Sequence, residues 1–367
     1  MFARLLLVLA VLFTLAVDPG LAQSTLSGPA LGLFYDPQAQ AIRPIWGIPG
    51  SATAGQPMNL GFPVAAGVVS PSQDYAIVIS GEGVPASAPT DEGRHPLPHY
   101  RASWTNVVTF ALSSSSVQTI RGLIGTPDRA ITSPAGKSAA LYYRNLAAAE
   151  IFTNLPDSPQ LSRRVDLSAL PNPPDVIAVS EDGALLLAGV SENAKGSSAQ
   201  GEVFVFTPDT TAPRSIAVVQ HASAIAFVNQ SHNVLLADDV ANSVSLLSDV
   251  ANGARAQWTF SAQQFTAPDS VQAAQDGQRF LVASSTQGML VILDASGSNP
   301  AIVMCGCAPA ELRPLNASMY QITEPIKGLL WGLDAQASDP KVFFVPIPGS
   351  SAQTRSMSTA IEEIGRQ

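Results

Sequence analysis

The chain has 367 residues, of which only 13% are charged, and it carries a net charge of −9 with just four lysines, Lys137, Lys195, Lys327 and Lys341. Long exposed helices need dense charge on their outer faces and tolerate few prolines, so this balance, with 29 prolines, excludes a mainly helical protein and leaves all-β as the natural class. An acidic chain with no Lys/Arg cluster also lacks the electrostatic footprint of a nucleic-acid binder and is poorly suited to anionic lipid surfaces.

The N-terminus reads as a targeting segment. Arg4 supplies a positive charge, Leu5 to Val17 is an apolar run broken only by Thr14, and Gly20-Leu21-Ala22 places small residues at a cleavage site. The apolar run is shorter than the roughly 20 residues a spanning helix needs. No Cys follows it to carry a lipid, and no later apolar stretch is long enough to span. The sequence therefore predicts a signal peptide over 1–22 and a secreted or periplasmic, monomeric protein with no membrane span after cleavage. It predicts one folded domain over 23–349 and a polar tail over 350–367.

Downstream, short β-branched and aromatic runs alternate with turn residues. Leu31 to Tyr35 and Ala41 to Ile45 read as the last two strands of a unit whose first hairpin is missing. A strand-turn-strand phrase then appears in Ala65 to Ser80 and returns in Arg129 to Tyr143. Its clearest copy is Asp175 to Gly189, with Asp182-Gly183 at the corner, and further copies lie in Ala222 to Ala237, Ser270 to Ala283 and Tyr320 to Leu333. The turns open at Ser70, Ser133, Ser180, Asn229, Ala274 and Thr323, at spacings of 63, 47, 49, 45 and 49. Each phrase precedes further strand-like runs, such as Gly201 to Thr207 with Ser215 to Val219, and Met289 to Leu293.

About four strands per unit at this period is the signature of a β-propeller, in which sheets that cannot bury both faces alone stack around an axis. Two tandem β-sandwiches would give no reason to repeat one hairpin at near-constant spacing. The expected architecture is a single propeller of six four-stranded blades, with seven as the alternative, closed by pairing N- and C-terminal strands so that no edge stays open.

Two features break the repeat. The long first spacing locates an insertion over Gly81 to Tyr100, where Asp91, Glu92, Arg94, His95, His99 and Tyr100 form a candidate binding loop. Its two imidazoles and two carboxylates are of the type that ligates divalent ions, although Pro96 and Pro98 hold the segment extended. Cys305-Gly-Cys307 can form a local disulfide, given a turn at Gly306, or stand as paired thiols at the end of an outer strand. No further Cys exists to complete a thiolate metal site.

No nucleophile elbow, zinc-protease helix, phosphate loop, dinucleotide fingerprint or EF-hand run is present. His221 and His232 read as structural. The Asp-Gly pairs read as hairpin turns in which Gly supplies the positive φ.

At Ser70-Pro71, Ser133-Pro134 and Ser180-Glu-Asp-Gly183, the chain resembles the bacterial YVTN/NHL/WD40-like propeller superfamily, whose repeats join the two inner strands by an S-P-D-G-x-x-L-x-V phrase. Asp36 and Ala41 to Gly50 also look like the opening of secreted propellers from soil bacteria. The WD40 Gly-His and Trp-Asp signatures are absent. The resemblance implies a fold and not a reaction.

The function expected from these residues is that of an exported, non-enzymatic scaffold presenting loops to a protein or glycan, with no catalytic residue and no cofactor. The alternative is a metal-dependent propeller hydrolase or lactonase, in which Asp182, Asp238, Asp276 and Glu324 would converge on an axial ion such as calcium. A structural part of an envelope assembly is a third reading.

Overall fold

The computed structural model describes residues 29–80, 107–111, 116–191, 200–210, 212–262, 265–316, 318–325, 329–336 and 339–348. The predicted signal peptide, the tail over 350–367 and the candidate loop with Asp91, Glu92, Arg94, His95, His99 and Tyr100 lie outside them.

Seven antiparallel sheets follow one another along the chain. Sheet 1 holds β1 (Ala30–Asp36), β2 (Ala41–Trp46) and β3 (Thr53–Ala54). Sheet 2 holds β4 (Val64–Val69), β5 (Tyr75–Ser80), β6 (Val107–Ala111) and β7 (Ser116–Thr119). Sheet 3 holds β8 (Arg129–Thr132), β9 (Ala139–Tyr143), β10 (Ala148–Thr153) and β11 (Gln160–Asp166). Sheet 4 holds β12 (Val176–Val179), β13 (Leu186–Val190), β14 (Gly201–Phe206) and β15 (Arg214–Val219). Sheet 5 holds β16 (Ala222–Phe227), β17 (Val234–Asp238), β18 (Ser243–Ser248) and β19 (Arg255–Phe260). Sheet 6 holds β20 (Ser270–Ala273), β21 (Arg279–Ser284), β22 (Met289–Asp294) and β23 (Ala301–Met304). Sheet 7 holds β24 (Arg313–Pro314), β25 (Met319–Gln321), β26 (Leu329–Asp334) and β27 (Lys341–Pro346).

The molecule is thus a seven-bladed β-propeller, and the expected six blades are corrected to the alternative of seven. The first strand of sheets 2 to 7 lines the axis. The second strands β5, β9, β13 and β17 are buried along their whole length because they are covered on both faces by neighbouring sheets. The fourth strands face outward, and β11 is exposed at most positions.

Two errors in reading the repeat explain the count. Tyr320 to Leu333 is not an inner hairpin but β25 and β26, the second and third strands of sheet 7. Its inner strand is the two-residue β24, and the inner turn there opens at Leu315, whose N–H donates to Met319 O, not at Thr323. The second error concerns sheet 1. The amide of Asn316, in the inner turn of sheet 7, donates to Ala30 O, and Gln73, in that of sheet 2, accepts from Leu33 N–H. The start of β1 therefore lies at the inner-turn face, and β1 runs opposite to the inner strands. Its β1–β2 turn is tied to the start of β4 by the Val64 N–H to Gln40 O bond. β1, β2 and β3 thus hold the second, third and fourth positions of a blade.

Among the described residues no strand of sheet 1 pairs with a strand of sheet 7. The ring closes by packing. Leu31, Phe34 and Ile45 bury against Leu315, Leu330, Phe343 and Val345. Arg43, buried with its partner Asp36, donates to Asp36 Oδ2 at 3.0 Å, to Gly55 O at 2.8 Å and to Pro348 O at 3.0 Å. Such a pair is costly to bury alone but is matched here by one acceptor for each guanidinium nitrogen.

The inner turns explain the repeated phrase. In sheets 2 to 6 the opening residue donates to the carbonyl five positions on and accepts from the N–H three positions on, at Ser70, Ser133, Ser180, Val228 and Ala274. The fifth-sheet turn therefore opens at Val228 rather than Asn229. Ser70, Ser133 and Ser180 are fully buried, and Ser180 Oγ both accepts from Leu185 N–H and donates to Asp182 Oδ1. Four of the five turns need a left-handed residue at the fourth position. Gly136, Gly183 and Gly277 fill it without strain, while Gln73 fills it at φ +60.

Candidate functional site

The axial channel is the first place to look in a propeller. Its cavity is about 230 Å³ and is lined by Val68, Ile131, Ile177, Ile225, Val271 and their neighbours on the inner strands. The lining includes Thr132, Gln272 and Arg313 but no carboxylate and no imidazole among the described residues.

At the inner-turn face the channel mouth is bridged by amides. Gln275 Nε2 donates to Pro71 O at 3.0 Å, Gln73 Nε2 to Pro314 O at 2.8 Å, and Asn229 Nδ2 to Gln275 O at 3.0 Å. Adjacent blades are clamped on the same face. Glu181 accepts from the N–H groups of Ala135 and Lys137, and Tyr75 donates to Gly136 O. Burial pushes the Tyr75 phenol well above its usual range, so it stays a neutral donor.

The four carboxylates expected to converge are dispersed. Asp182 sits in an inner turn, where burial opposes its charge. Hydrogen bonds from Ser180 and Ala184, with His232 Nε2 at 3.0 Å, nevertheless hold its pKa below the usual carboxylate range. Asp276 caps another inner turn, accepting from Gln278 N–H and Arg279. Asp238 lies at the opposite end of the ring and accepts from Gln220, His221 and Ala241 N–H groups. Glu324 is exposed in the β25–β26 connection. No group of three or more His, Cys, Asp or Glu able to hold a metal occurs among the described residues.

His221 pairs with Asp239 at 2.7 Å, on the far side of the ring from His232. Cys305 and Cys307 form a disulfide with a Cα–Cα distance of 5.0 Å, just beyond the end of β23. It lies in the connector between β23 and β24, and among the described residues no titratable side chain is hydrogen-bonded to it.

The larger opening lies elsewhere. A groove of about 690 Å³ runs between sheets 1 and 2 toward the inner-turn face. Its walls are Leu33 on β1, Pro44 and Trp46 on β2, Pro57 and Met58 on the strand-like segment after β3, and the amides of Gln56, Gln73 and Asn316. Among the described residues, no charged residue lines it. Gly55 explains the position of Trp46. A Cβ at residue 55 would lie 2.5 Å from the indole Nε1, so only glycine lets the ring lie against the backbone. Met58 is held by its N–H bond to Ile42 O. Of the three amides, Gln73 and Asn316 are already committed to Leu33, Pro314 and Ala30, so that Gln56, exposed at the rim, is the amide left to meet a ligand beside the Trp46 indole.

The groove was not anticipated from sequence. Its signal was the unrepeated stretch from Trp46 to Met58, rich in Gly and Pro and matching no other blade.

No protein-family model matches the chain, and no curated protein matches it in sequence. Solved structures do match. A functionally unknown protein from Desulfotomaculum acetoxidans aligns over 85% of this chain and 93% of its own, with TM-score 0.54 and 12% identity. A "putative 6-phosphogluconolactonase" from Bacteroides fragilis aligns over 87% and 94%, with TM-score 0.54 and 11% identity. At these identities the likeness shows the fold alone. The class is a β-propeller, and nothing more particular follows from the comparisons.

Proposed function

We propose that this chain is a non-enzymatic propeller whose groove between sheets 1 and 2 takes an apolar, extended segment of a protein partner. One observation carries the reading: a groove whose walls are Leu33, Pro44, Trp46, Pro57 and Met58, uncharged among the described residues, beside a channel that they line with no carboxylate and no imidazole. Pockets that bind by apolar contact with a few placed polar groups are built this way. A glycan is the weaker occupant, because sugar hydroxyls demand several hydrogen-bonding side chains, whereas among the described lining residues Gln73 and Asn316 are already engaged and Gln56 and the Trp46 indole N–H are left to serve.

The reading carries over the expectation of an exported protein, and the loop with Asp91, Glu92, Arg94, His95, His99 and Tyr100 is a second proposed contact region. Binding requires no cation on this account, so affinity is the same in calcium and in chelator. The hydrolase reading draws only on the fold shared with the Bacteroides fragilis protein, and the dispersed carboxylates give it no centre.

Selection of displayed peptides on the immobilised full chain tests the proposal. Peptides rich in Pro and apolar residues are expected, and Met58→Glu lowers their affinity at least tenfold. Selected peptides that bind wild type and variant equally would contradict it.

A further inference from the structure

The backbone around the groove limits the conformation of anything bound there. β2 pairs with β1 from Ala41 to Trp46. Its other side is closed first by β3, then by Gly55 N–H to Pro44 O and Met58 N–H to Ile42 O. On β1, Gln73 takes the Leu33 N–H, while Asn316 donates to Leu31 O and Ala30 O. Pro44 and Pro57 have no N–H to give. These walls therefore hold no run of free backbone groups on which a bound segment can build a β-ladder. A β-strand ligand would bury its N–H groups here without partners, which binding disfavours.

The polar groups left over are donors well placed for carbonyls. The Trp46 indole N–H has no hydrogen-bond partner among the described residues and is not walled off from solvent. Gly55 holds that indole in place, since a Cβ there would lie 2.5 Å from Nε1. The exposed amide of Gln56 is the second donor. Among the described residues the groove has neither a carboxylate to attract a basic ligand nor a cation to attract an acidic one. Charge complementarity calls for an uncharged occupant.

The polyproline II conformation meets each of these conditions. It forms no internal or ladder hydrogen bonds, and its carbonyls remain open to donors. Its prolines have no N–H to lose on burial. Proline rings also pack well in aromatic-lined grooves.

We propose that the groove recognises an uncharged, proline-rich segment in the polyproline II conformation. The Trp46 indole N–H donates to one of its backbone carbonyls, and its proline rings seat against Trp46, Pro44 and Met58. The inference rests on the groove being the binding site, and it adds the conformation and polarity of what binds.

The test titrates the full chain with two end-blocked, uncharged probes of equal length, hexaproline and an alternating valine-threonine peptide with high strand propensity. Hexaproline is expected to shift the Trp46 indole N–H resonance and to bind at least tenfold more tightly than the valine-threonine peptide. Trp46→Phe, which keeps an aromatic ring without the N–H, is expected to weaken hexaproline at least fivefold. Failure of hexaproline to move the indole resonance overturns the proposal. Equal binding of the two probes, both lost in Met58→Glu, overturns it as well but leaves the groove as the binding site. Hexaproline binding that Met58→Glu leaves unchanged removes the groove reading and this inference with it. If Trp46→Phe does not fold, the indole shift and the comparison of probes in the wild-type chain still decide.

Discussion

Gln73 is the most informative residue to remove. It occupies a left-handed turn position where the equivalent residues of sheets 3, 4 and 6 are glycines, and its side chain makes two bonds that span sheets. Its Oε1 accepts from Leu33 N–H at 2.6 Å in sheet 1, while its Nε2 donates to Pro314 O at 2.8 Å in sheet 7. Gln73→Ala removes both bonds and leaves the half-buried Leu33 N–H without this partner. Two neutral hydrogen bonds and one deprived donor together come to about 1–3 kcal/mol. For a chain of this length that corresponds to a fall in Tm of about 1.5–4 °C.

Gln73→Gly loses the same bonds but relieves the left-handed backbone, worth roughly 1 kcal/mol. It should therefore melt above Gln73→Ala and below wild type. Scanning calorimetry of the three proteins at one scan rate reads the order. If both variants melt within about 1 °C of wild type, the amide does not help close the ring and the reasoning fails.

Gly183 has φ +69, and a Cβ there would lie 2.8 Å from Thr153 Cγ2, so Gly183→Ala should destabilise by about 2 kcal/mol or more, read as a lower urea midpoint. Burial raises the phenols of Tyr75, Tyr143 and Tyr320, the last to about 12. A folded-state pKa above the unfolded value near 10 gives stability that is complete below about pH 10 and is lost as pH rises through the folded value. Absorbance at 295 nm should therefore show these tyrosines ionising together with unfolding; reversible titration of every tyrosine near pH 10 in a folded protein would rule this out. Thiol titration of the unreduced, denatured protein should find no free Cys, and Cys305→Ser with Cys307→Ser should change Tm little, because so short a loop removes little chain entropy.

The sequence made the inner hairpins legible because their chemistry is constrained. The buried turn serines, the Gly at positive φ and the small axis-facing side chains recur wherever the geometry recurs, as at Ser133 to Gly136 and Ser180 to Gly183. The outer strands were harder to see. β11 and β19 face solvent and read as Gln160-Leu-Ser-Arg-Arg-Val-Asp166 and Arg255-Ala-Gln-Trp-Thr-Phe260, with little of the apolar run that marks a strand.

The blade count was obscured because Arg313-Pro314 is too short an inner strand to carry the phrase and because sheet 1 begins at its second strand. The candidate groove was illegible for a different reason. It is assembled from Trp46, Met58, Gln73 and Asn316, which come together only when sheets 1, 2 and 7 meet. Asp182 shows the converse, since its role as a turn cap was readable from the recurrence of Asp-Gly alone.

The central claim, that the groove and not the channel is where a ligand sits, is tested by titrating one selected apolar peptide into wild type, Met58→Glu and Gln272→Lys. Met58 lines the groove and Gln272 lines the channel. The account predicts that Met58→Glu loses at least tenfold in affinity while Gln272→Lys binds as wild type does. Loss of binding in Gln272→Lys, with Met58→Glu unaffected, would place the ligand on the axis and contradict it.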